Sequence, residues 1–342
     1  MKKTMKAYQL ISAEKIEARE VERPTPGPGE VLVEVKRVGI CGSDIEYYRH
    51  FACGAFVARR PFVLGHELSG TVAECGPGAD AVSVGERVTV DPSTPCGHCD
   101  YCVSGRYNLC RNMRFLGSAS VDPHIDGGMR EYMVMPARNC FRIPESLDWG
   151  EATALEPLSI ALHACARAGS PVGRHILITG GGTIGLLVLL SLRAVGATDV
   201  TVSDPIASRR ELALKLGARA VMDPTAETGE QNSYEMIFDA SGAPAAVESA
   251  VHLAAKGATI VYIGTITRTV EMPMNLIMVK ELDVLGSFRT AHQFGIGFEL
   301  MGDRRIDVRP LITGTYPIDA VNEAFAATKA PDTVKLQLEL GS

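Results

Sequence analysis

Apolar positions along the chain follow two different rhythms. Up to about residue 150 they come in short runs broken by glycine and proline. Val31-Leu32-Val33-Glu34-Val35 and Arg87-Val88-Thr89-Val90 have strand length. Turns such as Pro26-Gly27-Pro28-Gly29-Glu30 and Cys75-Gly76-Pro77-Gly78 bound them. That spacing predicts a small β-barrel or sandwich. From about residue 151 the rhythm changes. His175-Ile176-Leu177-Ile178-Thr179 is a continuous apolar run, as in a strand buried on both faces. A glycine-rich turn and a helical run from Ile184 to Val195 follow it, with Gly196 as C-cap. Further strands are expected at Val200–Ser203, Ala220–Met222, Met236–Phe238, Thr259–Ile263 and Val284–Leu285, with helices near Arg209–Leu216 and Pro244–Ala255. Alternating strands and helices predict a doubly wound parallel sheet. A last strand is expected at Val334–Leu338.

Composition narrows the class. The chain has 342 residues, room for two domains. Hydrophobic residues make up 46% and charged residues 22%, as in a globular protein. The net charge of −6 offers no footprint for nucleic acid. No apolar run approaches the roughly 20 residues of a membrane span. The basic N-terminus is followed by Glu14, Lys15 and Glu17 where a signal peptide needs its apolar core, so a cytoplasmic protein is expected. Nine cysteines are an odd number, and in a cytoplasmic chain metal binding accounts for them better than disulfides.

Four of those cysteines cluster. Cys96, Cys99 and Cys102 form a CxxCxxC run and Cys110 follows. Four thiolates close a tetrahedral shell around a structural zinc. The run also suits an iron–sulfur cluster, but ferredoxin-type runs carry a proline after the last cysteine, and here Arg111 follows Cys110. His98 reads as a solvated loop residue. A second metal set is Cys41, His66 and Glu67: a thiolate, an imidazole and a carboxylate, with one position left for water or substrate on a catalytic zinc.

The glycine turn is Gly180-Gly181-Gly182-Thr183-Ile184-Gly185. It follows a predicted strand and opens a predicted helix, which is the dinucleotide-binding context. Gly180 suits the tight turn, Gly182 the approach of a pyrophosphate to the helix N-terminus, and Gly185 close packing of helix on strand. Asp204 ends the next strand, where a carboxylate accepts hydrogen bonds from ribose hydroxyls and repels a 2′-phosphate, favouring NAD over NADP. Arg209 and Arg210 follow closely enough to soften that preference.

With Gly39-Ile40-Cys41-Gly42-Ser43-Asp44, Gly65-His66-Glu67 and Glu156-Pro157, these motifs make the whole chain resemble the zinc-dependent medium-chain alcohol dehydrogenases, a family known for its catalytic zinc, and within them the polyol (sorbitol-type) branch. Asn112–Ser118, Pro123–Gly128 and Gly286-Ser287-Phe288-Arg289 are most similar to the L-idonate 5-dehydrogenases of that branch. The resemblance implies a GroES-like β-barrel catalytic domain over 1–150, to which 287–342 return, and a Rossmann domain over 151–286, with the active site in the cleft. It implies two zinc ions per chain and NAD, with NADP as the alternative. Cys41 and His66 are then catalytic zinc ligands. Glu67 is a ligand or holds the zinc-bound water, and Glu156 is a ligand or a nearby carboxylate that exchanges with water. Asp44 would hold the other ring nitrogen of His66. Ser43 would pass the alcohol proton outward. A homodimer or homotetramer is implied, with an edge strand near residue 284 extending a sheet across two subunits.

The implied reaction oxidises a secondary hydroxyl of a sugar acid, L-idonate to 5-keto-D-gluconate. A sorbitol- or xylitol-type polyol dehydrogenase is the alternative, ahead of a threonine-type dehydrogenase or a non-catalytic NAD-binding protein. An aldonate carboxylate calls for a cation, for which Arg114 and Arg289 are candidates. Tyr47 and Tyr48 either line the polyol pocket or belong to the core. One departure from the family pattern is Glu46, where a relay histidine is common; Glu46 itself, His50 or water would then carry the proton.

Overall fold

The computed structural model describes residues 3–341. The chain divides into two compact units. The first comprises the residues up to Glu156, Phe294–Gly302 and those from Val308 onward. Its larger sheet runs in the order Cys140–Arg142, Arg87–Val90, Glu67–Cys75, Glu30–Gly39, Lys335–Glu339, Ile312–Pro317, and Tyr132–Pro136 also pairs with Glu30–Gly39. A three-stranded sheet joins Lys15–Glu22, Thr4–Ser12 and Phe62–Val63. Leu10, Val31, Val33, Val35, Leu68 and Met133 fill the core at no more than 1% exposure, and their apolar area removed from water is the main driving force for this unit.

The strand Lys335–Glu339 lies antiparallel beside Glu30–Gly39, with Leu338 opposite Val38, and parallel to Ile312–Pro317. Its side chains alternate. Leu336 and Leu338 belong to the apolar cluster, while Lys335 and Gln337 make polar contacts although they are 3% and 0% exposed. A helix that the apolar pattern does not announce, Gly42–His50, follows the strand Glu30–Gly39.

The second unit comprises Pro157–Gln293 and Asp303–Asp307. Six parallel strands run in the order Ala220–Met222, Asp199–Ser203, His175–Thr179, Tyr234–Asp239, Ala254–Tyr262, Asp283–Gly286. Counted along the chain this order is 3-2-1-4-5-6, that of the dinucleotide-binding fold. The central strand is His175–Thr179, and Ile176, Leu177 and Ile178 are fully buried, as their unbroken apolar run predicts. The following helix spans Thr183–Ala194, one residue earlier at each end than expected, with Val195 at the C-cap and Gly196 beyond it at φ +99°. Among the described residues no helix is long and apolar enough to cross a membrane.

Lys280 is a structural device inside this unit. It is 7% exposed, and its ammonium donates to the carbonyls of Val251, His252 and Ala254 at 2.8, 3.1 and 2.9 Å. Those carbonyls end the helix Pro244–Leu253, where a cation satisfies orphan acceptors and faces the negative end of the helix dipole. Lys280→Met keeps the apolar stem and strands the carbonyls. It is expected to lower the unfolding free energy by about 2–4 kcal/mol, read as an earlier midpoint in urea; an unmoved midpoint would show that these bonds contribute nothing net.

Candidate metal and cofactor sites

Cys41, His66 and Glu67 come together in the first unit, their ligand atoms all within 4.8 Å of one another. Cys41 is the N-cap of the helix Gly42–His50; its thiol accepts the Asp44 amide N–H, and the Asp44 carboxylate accepts the Cys41 N–H at 3.0 Å. A sulfur at a helix N-terminus is favoured as thiolate. Glu67 begins its strand directly opposite Gly39. A Cβ on Gly39 would lie 2.0 Å from a Glu67 carboxylate oxygen, so residue 39 has room for glycine alone.

Asp44 acts differently from the expectation. Its Oδ1 lies 3.7 Å from His66 Nδ1, beyond a hydrogen bond, and accepts the Gly65 N–H at 3.1 Å. The fully buried carboxylate thus joins the Cys41 loop to the His66 loop through two backbone amides. The His66 ring packs against Phe115 at 5.3 Å.

Charge decides what this pocket needs. Asp44, Glu67 and Glu156 are 0–2% exposed and His66 is 4% exposed. Burial pushes the Cys41 thiol up to about 11, the Glu67 charge adding to it, and burial raises Glu156 well above the usual carboxylate range. Three buried carboxyl groups and the half-buried Cys41 thiol can carry their charges together only with cations to face. A divalent ion between a thiolate, an imidazole and a carboxylate fits that deficit. Glu156 opens the helix Leu155–Ala168 and feels the charges of His66, Glu67 and Cys41, but it is not among the three ligand groups within 4.8 Å.

The protein's own cation here is Lys335, which motif reasoning overlooked. Its Nζ lies 2.6 and 2.5 Å from the two Glu67 carboxylate oxygens and donates to the Ile40 carbonyl at 3.0 Å. Burial pulls Lys335 down, yet the charges of Glu67, Cys41 and Glu156 outweigh it and hold the lysine above its ordinary value. The available signal was a lysine and a glutamine alternating with leucines in one strand.

Cys96, Cys99, Cys102 and Cys110 form the second group within 4.8 Å. Their Sγ atoms stand 3.5 Å apart for Cys99–Cys102, 3.9 Å for Cys99–Cys110 and 4.0 Å for Cys96–Cys102. Bonds of about 2.3 Å to a tetrahedral zinc would put sulfurs roughly 3.8 Å apart. The amides of His98 and Cys99 donate to the Cys96 sulfur and bring it down to about 6, whereas burial pushes Cys102 up to about 12. The set fits a closed structural site. His98 is exposed, its Nδ1 2.9 Å from the Cys96 carbonyl.

In the second unit the glycine turn joins His175–Thr179 to the helix Thr183–Ala194. Gly180 has φ +97°, and a Cβ on Gly185 would lie 1.7 Å from the Gly180 carbonyl oxygen. A Cβ on Gly182, the N-cap, would meet nothing within 4 Å, so the face above the helix N-terminus is open. That opening beside helix N–H groups fits a pyrophosphate. Thr183 and Ile184 begin the helix, half-buried. Asp204 is 3% exposed and accepts the Gly181 N–H at 2.7 Å, and Arg209 stands 3.8 Å from the same oxygen.

The proposed substrate residues are scattered. Tyr47 is a core residue, 3% exposed, whose hydroxyl accepts the Ala119 N–H at 3.0 Å. Arg114 is exposed in the strand Arg114–Phe115; alternation turns it away from the face on which Phe115 meets His66. Arg289, in the second unit at φ +56°, lays its guanidinium over the Phe288 ring at 4.8 Å. Ser43, Glu46 and His50 lie at i, i+3 and i+7 of one helix, and Glu46 and His50 are paired at 4.0 Å.

Residues 27–145 match the alcohol dehydrogenase GroES-like domain, and 183–301 the zinc-binding dehydrogenase domain. Sorbitol dehydrogenase of Gallus gallus is 34% identical over 326 residues, covering 92% of this chain and 91% of that protein. This chain belongs to the zinc-dependent alcohol dehydrogenases, in their polyol branch. The crystal structure of L-idonate 5-dehydrogenase from Escherichia coli superposes with a TM-score of 0.92 at 29% identity, covering 98% of each chain. A zinc-binding dehydrogenase from Sinorhizobium meliloti, solved bound to NADP, superposes with a TM-score of 0.91 at 33% identity, covering 99% of this chain and 100% of that one. As a polyol-type alcohol dehydrogenase the enzyme takes a small-molecule alcohol and uses zinc and a nicotinamide dinucleotide. A zinc ion would be held by Cys41 and His66, where it would supply Lewis acidity, and a bound nicotinamide would supply the hydride chemistry.

Elemental analysis is expected to find about two zinc ions per chain, falling to about one in Cys41→Ser and in Cys99→Ser. One ion in the unaltered protein would leave only a single occupied site. Lys335→Met removes one partner of a buried pair and should cost the metal-stripped protein about 3–5 kcal/mol, part of it recovered on adding zinc. Equal losses with and without zinc, in thermal melts, would uncouple Lys335 from the metal.

Proposed function

We propose that the enzyme oxidises a secondary hydroxyl of a sugar acid, L-idonate to 5-keto-D-gluconate, with a nicotinamide cofactor. The likeness that carries this reading is the chain-wide superposition on L-idonate 5-dehydrogenase, joined to the Asn112–Ser118 and Pro123–Gly128 runs. Cys41 and His66 hold the zinc, while Glu67 and Glu156 supply the neighbouring carboxylates. Ser43 takes the alcohol proton, and the exposed end of its helix, with Glu46 and His50, hands it to water. Arg114 or Arg289 faces the carboxylate. Gly180, Gly182, Thr183, Ile184, Gly185, Asp204 and Arg209 hold the dinucleotide. The first unit is the catalytic domain and the second the Rossmann domain, and the enzyme works in the cytoplasm.

The higher identity to sorbitol dehydrogenase supports a second reading, a polyol substrate without a carboxylate. For assembly, Asp283–Gly286 is the edge strand of its sheet, and Met274, Met278, Val279 and Val284 nearby in sequence are 39–66% exposed. An open edge with apolar neighbours supports pairing with a second copy.

NADH oxidation at neutral pH with 5-keto-D-gluconate, beside D-fructose at equal concentration, tests the substrate. Rapid turnover of the keto acid with little of fructose is expected. The reverse would make the enzyme a polyol dehydrogenase and remove the motive for Arg114 and Arg289.

A further inference from the structure

His124 joins two loops of the first unit through a hydrogen bond that only an uncharged imidazole can make. The Arg59 backbone N–H lies 2.9 Å from His124 Nε2, and the Val121 carbonyl lies 2.9 Å from Nδ1. A backbone amide only donates and a carbonyl only accepts, so Nε2 carries the lone pair and Nδ1 the hydrogen. The ring is therefore neutral, in one tautomer, with both nitrogens committed. Protonation would set a hydrogen on Nε2 against the amide hydrogen, and the bond to Arg59 would be lost.

What the bond holds is a hairpin in which Ala52–Cys53 pairs with Phe56–Val57. A cavity of about 240 Å³ lies between the hairpin and the His124 loop, lined by Phe56, Val57 and Arg59 on one side and by Ala119, Ser120 and His124 on the other. Arg59 and Arg60 also pair with Asp122, but these side chains are 47–74% exposed, and surface pairs contribute little. The hairpin stands close to the metal group. Burial pushes the Cys53 thiol up to about 11, and the charges of Cys41, Glu46 and Asp44 add to it. Phe62 is edge-on both to the His124 ring at 5.5 Å and to the Tyr47 ring at 5.3 Å, and Tyr47 belongs to the helix that Cys41 caps.

We propose that His124 is a positioning residue that docks this hairpin beside the metal group while its imidazole is neutral and releases it on protonation. Arg59 and Arg60, across the cavity, oppose a charge on the ring. Asp122 and Asp126, on its own loop, favour one, but Asp122 is paired with the arginines and Asp126 accepts the Val63 N–H at 2.8 Å. Phe62 brings no charge. The ring is half-buried, so solvent protons reach it. Histidine is the side chain whose charge changes in the neutral range. The hairpin is thus docked at neutral and alkaline pH and loosens as the pH falls.

Amide hydrogen exchange of the zinc-loaded protein at about pH 8 and about pH 5.5, corrected for the intrinsic effect of pH on exchange, tests the clasp. Protection over residues 52–59 is expected to fall at least about fivefold on acidification, while the strand Glu30–Gly39 stays unmoved. His124→Gln accepts through its carbonyl oxygen and donates through its amide nitrogen at either pH, so it should keep the hairpin protected at both. His124→Ala should leave it loose at both. A merely structural side chain would give no pH dependence for glutamine to remove. Wild-type protection that does not change with pH, or a glutamine variant that loosens on acidification as the wild type does, would overturn the proposal. Nitrogen NMR of the wild-type imidazole serves where the variants do not fold: a neutral ring with its hydrogen on Nδ1 is expected at about pH 8, and a hydrogen on Nε2 would overturn the assignment. No alcohol is present, so the identity of the substrate does not bear on the result.

Discussion

The catalytic unit depends on an imbalance of buried charge. Cys41, Asp44 and Glu67 are held together by strand pairing and helix capping before any metal is considered, and Glu156 lies near enough to feel the charges of Cys41 and Glu67. Lys335 is the cation that interacts with three of them, Glu67, Cys41 and Glu156. Burial of uncompensated carboxylates is costly, and the fold meets that cost partly with Lys335 and partly with amide donors to Asp44. What remains is a deficit of positive charge of the kind a zinc ion fills. The strand Lys335–Glu339 is therefore more than a closing edge. It brings the counter-ion to the strand that carries Glu67, from the far end of the chain.

The second unit uses the same economy without a metal. Asp239 is fully buried between the hydroxyls of Thr179 and Ser241 and the Gly242 amide. Asp204 ties the glycine turn to the neighbouring strand, and Lys280 closes a helix. Each buried charge organises backbone at a C-terminal strand end or a helix end, where a doubly wound sheet leaves polar groups unpaired. Rigid turns of this kind let open N–H groups face a pyrophosphate.

How much was legible in the sequence follows from the range of the interactions. CxxCxxC, the glycine turn and the strand before it are local, and spacing alone reads them. Cys41, His66 and Glu67 lie within one short stretch, and the structure brings their ligand atoms within 4.8 Å. Lys335 is 268 residues from Glu67, and no periodicity links them. The helix Gly42–His50 escaped because it is polar on most of its surface and is placed by the Cys41–Asp44 cap rather than by an apolar stripe. The resemblance implies that Asp44 holds His66, while its nearest donors are the Cys41 and Gly65 amides, which a sequence does not display.

Substrate identity is the least legible property, for a physical reason. Binding an alcohol to zinc and taking a hydride requires the same groups whether the molecule is a polyol or a sugar acid. Discrimination then rests on one anion and the cation that meets it, and a surface cation is free to change without disturbing the fold. Strand alternation puts Arg114 and Phe115 on opposite faces, and Phe115 is the one against His66. An arginine on the far face reaches a substrate only if the carboxylate lies well away from the reacting hydroxyl. L-idonate carries its carboxylate at C1 and its C5 hydroxyl near the other end of the carbon chain, a separation that a short hydroxy acid lacks.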